Sequence, residues 1–260
     1  MKRIVAFAYG VACYGAFLFA FLYTIGFLSN LFVPKGIDTD AGAITLTAVL
    51  IDLGLVGLFG LQHSIMARPR FKATWTKVIP SSVERSTFVL ATSLVMMLLF
   101  WQWRPMGAVI WQVEAAWAET LLWAVFAAGW GLVLLSTFVI DHFDLFGLRQ
   151  VTLNLLRKDY ADPEFKVVFF YKFVRHPLYL GLFFAFWGTP TMTFGHLVFA
   201  VGMCAYILIG VRYEERDLLE NLGEDYRKYR DRVPMLMPQP GRVHETVKPG
   251  VARVAPGSRR

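Results

Sequence analysis

Long apolar segments recur along this chain, at lengths that few water-soluble folds can bury. A helix that crosses the hydrocarbon core of a bilayer needs about 20 predominantly apolar residues. The candidate spans are residues 4–33, 44–66, 86–103, 119–140, 178–189 and 196–211. The last two flank Thr189-Pro190-Thr191 and are predicted to form a C-terminal helical hairpin with a short first arm. The chain is therefore predicted to be an all-α, polytopic integral membrane bundle.

The remaining composition agrees with one membrane domain. Charged residues make up 17% of the chain, against about 25% in an average soluble domain. The first apolar segment is longer than the apolar region of a signal peptide and no small-residue cleavage site follows it, so we interpret it as a retained helix. Residues 1–238 form the predicted membrane domain. Residues 239–260, rich in proline, glycine and charge, are predicted to be a disordered tail.

The basic residues are distributed unequally between the loops. With a cytoplasmic N-terminus, the cytoplasmic segments hold 24 of the 26 lysines and arginines, and the external loops hold Lys35 and Arg104. Basic loops of membrane proteins face the cytoplasm, so both termini are predicted to be cytoplasmic. The same loops explain the net charge of +7 through contact with anionic lipid. The lipid bilayer is the predicted partner, and nucleic acid is not.

Both cysteines, Cys13 and Cys204, lie inside apolar segments. A buried free cysteine behaves as a small hydrophobic residue. The spacing of the cysteines and histidines fits no zinc or iron–sulfur pattern. The sequence therefore predicts no metal site.

Four polar clusters occur at span ends, and the predicted orientation puts all of them on the cytoplasmic side. Ionisable groups at membrane depth are costly, so by default they indicate a functional site. Each cluster also has a structural interpretation, such as a packing role for His63 or an interfacial helix start for the last cluster. Asp52, in the outer half of its span, is predicted to make a structural hydrogen bond. The clusters are Gln62-His63-Ser64, Asp141-His142-Phe143-Asp144, Arg175-His176-Pro177 and residues 212–217.

The C-terminal third carries an ordered series of motifs around the hairpin. Residues 175–181 read R-H-P-x-Y-x-G, residues 214–218 read E-E-R-D-L, and residues 223–229 read G-E-D-Y-R-K-Y. Val233-Pro234 and Pro238 follow. From about residue 170 to 240 the chain resembles the superfamily of isoprenylcysteine carboxyl methyltransferases and phospholipid methyltransferases.

The N-terminal motifs narrow this resemblance. Residues 62–68, Q-H-S-I-M-A-R, and residues 142–150, H-F-D-L-F-G-L-R-Q, are similar to those of bacterial methanethiol S-methyltransferases and their NnrU-like relatives. This resemblance spans the chain to about Pro240. It implies methyl transfer from S-adenosylmethionine to methanethiol, a small volatile thiol, in a bacterial-type inner membrane. Within these motifs, Gln62, Arg149 and Gln150 are the predicted substrate-binding residues.

The resemblance also implies where the cofactor binds, on the cytoplasmic side. Glu214 and Glu215 are expected to bind its ammonium group or a ribose hydroxyl, and Arg175 or Arg216 its carboxylate. Five other residues are predicted to bind the cofactor. His176 and Pro177 lie at the start of a helix, Tyr179 and Tyr226 could pack on the adenine, and Gly181 would let backbone or ligand approach closely. Pro177 disfavours helix at His176, which leaves backbone N–H groups at the next helix start for an anionic acceptor.

The reaction itself calls for a base. A thiolate is the competent nucleophile, and a small alkyl thiol is mostly protonated at neutral pH. His63 and His142 are the predicted bases, with Asp141 or Asp144 orienting His142.

Other functions are compatible with the same motifs. The acceptor could be a phospholipid amine or a prenylcysteine carboxylate. An NADPH-dependent sterol-type reductase and a non-enzymatic NnrU-like membrane protein are further alternatives. The oligomeric state is open, since Gly54, Gly57 and Gly60 could seat a helix of the same chain or of a second subunit.

Overall fold

The computed structural model describes residues 1–161 and 167–239. Of the predicted tail, only Gln239 falls within these ranges. The elements, in order, are α1 Lys2–Ser29, α2 Leu46–Ala67, α3 Pro69–Trp75, α4 Ser81–Gln102, β1 Val109–Gln112, α5 Ala116–Ile140, α6 His142–Leu145, α7 Leu148–Leu155, a 3₁₀ turn Phe169–Lys172, α8 Pro177–Trp187, β2 Thr191–Thr193, α9 Phe194–Leu222 and α10 Glu224–Arg232.

Long apolar helices dominate the described residues. Within them, five helices (α1, α2, α4, α5 and α9) are long and apolar enough to cross a membrane. The sheet found there has two short antiparallel strands, β1 and β2. The prediction of an all-α, polytopic membrane bundle is confirmed.

Two helix ends differ from the sequence-based bounds for local reasons. Helix α1 stops at Ser29 because Asn30 is left-handed, with φ of 57°, and its N–H caps the Gly26 carbonyl, as is usual at helix C-termini. Helix α9 continues through the polar residues after 211 and ends only at Gly223, whose φ is 58°. The Glu214-Glu215 pair therefore lies on the last turns of a long helix.

The short hairpin arm is α8, with 11 residues and Pro177 in its first turn. At 1.5 Å per residue it rises about 17 Å, roughly half of the hydrocarbon thickness. Gly188 ends the helix, and the chain then forms β2, which pairs Thr191 with Gln112 of β1. The predicted turn between the arms is thus part of a small sheet.

Helices α5 and α8 cross at two glycines. A Cβ added to Gly129 would lie 2.6 Å from the Gly181 carbonyl oxygen, and one added to Gly181 would lie 2.7 Å from the Gly129 carbonyl oxygen. Small residues at such crossings let helix backbones approach closely. In contrast, a Cβ on Gly54 or Gly57 would meet nothing within 4 Å.

Because successive long helices run in opposite directions, the helix ends gather at two opposite ends of the bundle. The end of the bundle that holds β1 and β2 also holds Asp52, whose carboxylate accepts from the Arg104 N–H at 2.9 Å. The predicted structural hydrogen bond of Asp52 is confirmed. Lys35 binds the Trp101 and Trp103 carbonyls there, at 2.6 and 2.8 Å. The opposite end, which we call the polar end, collects the C-termini of α2, α5 and α9 and the N-terminus of α8.

Candidate active site

Arg175 connects three elements at the polar end. Its Nε and Nη2 atoms lie 2.7 Å from Glu215 Oε1 on α9. Its Nη1 donates to the carbonyls of Arg230 and Val233 at the end of α10. The two charged side chains are only 10% and 15% exposed. A planar guanidinium suits this arrangement, because its fixed donors reach several acceptors at once.

His176 binds the same carboxylate. Its Nε2 lies 3.0 Å from Glu215 Oε1. The backbone N–H groups of Arg175 and His176 donate to the carbonyls of Pro234 and Met235, at 2.9 and 3.2 Å. Glu215 is therefore occupied by protein groups, and the segment after α10 lies directly against the start of α8.

Glu214 differs from its neighbour in exposure. Its Oε2 accepts from the Tyr179 hydroxyl at 2.8 Å, and its side chain is 45% exposed. Its Oε1 lies 4.0 Å from His176 Nδ1. The His176 and Tyr179 rings stack, with centroids 5.5 Å apart. Glu214 is thus a carboxylate with access to solvent beside two stacked rings.

Two predicted cofactor residues lie elsewhere. Arg216 is 74% exposed and pairs with Glu220 one turn along α9, at 3.0 Å. Gly181 is at the crossing with α5. Tyr226, in contrast, is buried with Tyr229 beside Arg175, and burial raises the pKa of its hydroxyl.

Two further residues of this cluster were given no role from the sequence. The Tyr229 hydroxyl donates to the Tyr171 carbonyl at 2.7 Å, which ties α10 to the 3₁₀ turn. Tyr229 ends the motif of residues 223–229 and Tyr171 precedes that of residues 175–181, and nothing in their spacing indicates that they meet.

The His63 side chain projects from α2 toward α4 and α9 and is surrounded by aromatic side chains. The ring centroids of Phe88, Phe59 and Tyr206 are 4.9, 5.6 and 6.2 Å from that of His63. Its Nδ1 is buried and has no hydrogen-bond partner among the described residues. Next to it, Gln62 donates to Met66 Sδ at 3.1 Å, and its Oε1 is also buried without a partner there.

His142 occupies a separate pocket, and both of its ring nitrogens are satisfied. The Thr137 hydroxyl donates its proton to the Leu134 carbonyl at 2.6 Å, so it accepts from His142 Nδ1 at 2.8 Å. His142 Nε2 then accepts from the Tyr14 hydroxyl at 2.8 Å. The predicted orienting carboxylates do not contact this ring. Tyr14 was missed because a single tyrosine inside an apolar span carries no signal in the sequence.

The two aspartates instead organise the turn after α5. Asp141 accepts from the Asp144 N–H at 3.1 Å. Arg149 binds both carboxylates, at 3.2 and 3.3 Å, and Gln150 donates to the Asp144 carbonyl at 3.1 Å. Burial raises the pKa of Asp144. The predicted substrate residues Arg149 and Gln150 thus hold this turn.

Arg85 links the two halves of the polar end. Its Nε donates to the Leu145 carbonyl at 2.6 Å. Its charge acts on Asp144 and also on His63. In the sequence, Arg85 is one of several basic residues between the second and third spans, and nothing there distinguishes it from the others.

The buried His142 leads to a prediction about acid stability. Burial lowers the pKa of His142 below its usual range. The unfolded chain therefore takes up a proton that the folded protein resists, and stability falls as pH drops below about 6.5. We expect the melting temperature in detergent to fall less between pH 7 and pH 5 in His142→Gln than in the wild type. Equal falls in both proteins would contradict this assignment.

Several known proteins are similar in sequence to this chain over almost its whole length. It is 50% identical to the methanethiol S-methyltransferase of Crocosphaera subtropica over 92% of this chain and 93% of the relative. It is 52% identical to methanethiol S-methyltransferase 1 of Bradyrhizobium diazoefficiens, over 91% and 83%, and 50% identical to the methanethiol S-methyltransferase of Mycobacterium tuberculosis, over 93% and 99%. No family model matches the chain, and no solved structure is significantly similar to it. Identity at this level across almost the whole of the chain shows that it belongs to the methanethiol S-methyltransferase family.

Proposed function

We propose that this protein transfers a methyl group from S-adenosylmethionine to methanethiol, forming dimethyl sulfide and S-adenosylhomocysteine. The observation that carries the proposal is the near-full-length identity of about one half to relatives named for this activity. The names of the relatives support methanethiol as the acceptor. The chemistry of the residues at the polar end supports a donor site there.

The residues of that cluster fit the donor chemically. S-adenosylmethionine carries cationic and hydroxyl groups that need an acceptor, a carboxylate that needs donors, and a flat base. Glu214 offers a carboxylate that is 45% exposed, and the stacked rings of His176 and Tyr179 offer a flat surface. The first turn of α8 adds N–H donors without intrahelical partners. Glu214, Tyr179 and the start of α8 would hold the donor.

The donor supplies a methyl group activated by its attachment to a positively charged sulfur. The protein supplies position. Arg175, His176 and Glu215 hold α8, α9 and the segment after α10 together, so Glu214 and Tyr179 keep a fixed relation to each other. Fixing two reactants in a reactive geometry can account for a large share of the rate.

The basic residues support a cytoplasmic polar end. Of the 20 lysines and arginines among the described residues, 18 lie at this end, which favours the cytoplasmic side. A polar donor made in the cytoplasm reaches a site on that side directly. The acceptor is small and apolar, and it can arrive from the bilayer.

The test is dimethyl sulfide production by cells that lack thiol methyltransferase activity. Cells expressing the wild type and supplied with methanethiol are expected to release dimethyl sulfide into the headspace. Glu214→Gln is expected to reduce this by about 10- to 100-fold, because hydrogen bonds to a charged group contribute about 1.5–3 kcal/mol. Glu220→Gln, an exposed residue on the same helix, is the matched control and should keep wild-type output.

Two results would contradict the proposal. The first is folded wild-type protein in the membrane without dimethyl sulfide. The second is transfer of label from the donor to membrane lipid in preference to the thiol, which would favour a phospholipid or prenylcysteine acceptor.

A further inference from the structure

Several buried polar atoms have no hydrogen-bond partner among residues 1–161 and 167–239, and two of them lie side by side at the polar end. They are His63 Nδ1 and Gln62 Oε1, on adjacent residues of α2. Buried polar atoms are nearly always hydrogen-bonded, so an exception requires an explanation. A small bound molecule that presents a hydrogen-bond donor would satisfy either atom.

The surroundings of His63 suit a small apolar sulfur compound. The rings of Phe59, Phe88 and Tyr206 form what we call the aromatic cage around it. Sulfur makes favourable contacts with the edges of aromatic rings. Leu61 and Ile65 are exposed on the other face of α2, so this one helix separates the cage from the outside of the bundle.

Tyr206 lies between the cage and the donor cluster. It is on α9, eight residues before Glu214, which is about 12 Å along the helix, and Tyr206 and Tyr179 pack against the same core. On the other side the Tyr206 ring rests on α2, since a Cβ at Gly60 would lie 2.8 Å from Tyr206 Cδ2. The cage is therefore on the same side of the bundle core as the residues that would hold the methyl donor.

The other buried histidines differ from His63. His142 has a hydrogen-bond partner at each ring nitrogen. His196 Nε2 binds the Phe186 carbonyl at 2.9 Å, and its Nδ1 is also buried without a partner among the described residues, but it lies at the opposite end of the bundle. Among these three, His63 is the histidine at the polar end with a buried nitrogen available for a substrate.

We propose that the aromatic cage is the thiol subsite and that His63 Nδ1 accepts the proton of the bound thiol. This inference rests on the proposed function. The S–H proton passes to His63, the thiol sulfur bonds to the methyl carbon, and the bond from that carbon to the donor sulfur breaks with its electron pair. His63 then releases the proton to water.

The test compares two thiols in purified His63→Gln. Methanethiol needs a base at pH 7, whereas 2,2,2-trifluoroethanethiol is substantially ionised there. A general base contributes about 10²- to 10⁴-fold, so kcat for methanethiol is expected to fall at least 100-fold. The kcat for the acidic thiol is expected to stay within about fivefold of wild type. Binding of labelled S-adenosylmethionine, measured separately, is expected to be unchanged.

Two more variants distinguish chemistry from folding. His196→Gln makes the same substitution at the far end and is expected to keep the wild-type ratio between the two thiols. Phe88→Leu widens the cage and is expected to raise turnover of 1-propanethiol relative to methanethiol.

The outcomes separate the two proposals. If the wild type makes no dimethyl sulfide, the proposed function fails. If the wild type is active and His63→Gln keeps its methanethiol kcat, or loses both thiols equally, the inference about His63 is overturned. The same holds if His142→Gln, rather than His63→Gln, loses methanethiol turnover selectively and keeps the acidic thiol.

Discussion

Arg175→Met is expected to abolish methyl transfer and donor binding together. The substitution leaves the Glu215 carboxylate, which is 15% exposed, without its arginine partner and in contact with His176. It also removes the donor to the Arg230 and Val233 carbonyls. Breaking a buried ion pair by deleting one partner costs about 3–5 kcal/mol. We expect at least a 100-fold loss of activity and no measurable binding of labelled S-adenosylmethionine.

The same variant should loosen the segment after α10. Arg175 binds this segment through its side chain and, at 2.9 Å from the Pro234 carbonyl, through its backbone. We expect faster proteolytic cleavage after α10 in Arg175→Met. Arg175→Lys should remain defective, because an ammonium is a point charge and cannot reproduce the fork of a guanidinium.

A matched control lies on α10. The Arg227 side chain is 62% exposed, and its Nε lies 3.8 Å from Glu224 Oε2. Arg227→Met should therefore keep donor binding and protease resistance. Near-normal donor binding in Arg175→Met would show that the connection made by Arg175 is dispensable for the site.

Gly129→Leu is expected to prevent folding of the bundle. A Cβ at this position would lie 2.6 Å from the Gly181 carbonyl oxygen and 2.7 Å from the Ala185 nitrogen. Both are backbone atoms of α8, so the helices can accommodate the side chain only by separating. Overpacking typically lowers the free energy of unfolding by about 1–3 kcal/mol. Because the atoms that would have to move here are backbone atoms, we expect a loss at or above the upper end of this range.

The control is on the same helix. A Cβ at Gly131 would meet nothing within 4 Å, so Gly131→Leu should be tolerated. The measurement is the amount of monodisperse protein recovered from membranes by size-exclusion chromatography in detergent. We expect most of it to be lost in Gly129→Leu and retained in Gly131→Leu. Equal recovery would mean that α5 and α8 do not cross at this glycine.

The sequence determined the class of fold and the end of the bundle where polar residues gather. The length and apolarity of the spans predict membrane helices, and the bilayer gives successive span ends alternating sides. For that reason Arg175, His176, Glu214 and Glu215 could be assigned to one cluster from their positions alone. The motifs added the family resemblance, and the near-full-length relatives bear it out.

Only the tertiary structure decided how each polar residue is used. Hydropathy sets the depth of a residue but not the rotation of its helix or the neighbour it faces. The rotation of α9 brings Glu215 into contact with Arg175 and leaves Glu214 exposed. It also turns Arg216 toward Glu220. Such rotations also satisfy His142 with Thr137 and Tyr14, while His63 Nδ1 stays buried without a partner in the described chain. Hydrogen-bond partners far apart in sequence meet only when the helices pack, and so adjacent residues of one motif acquire different roles.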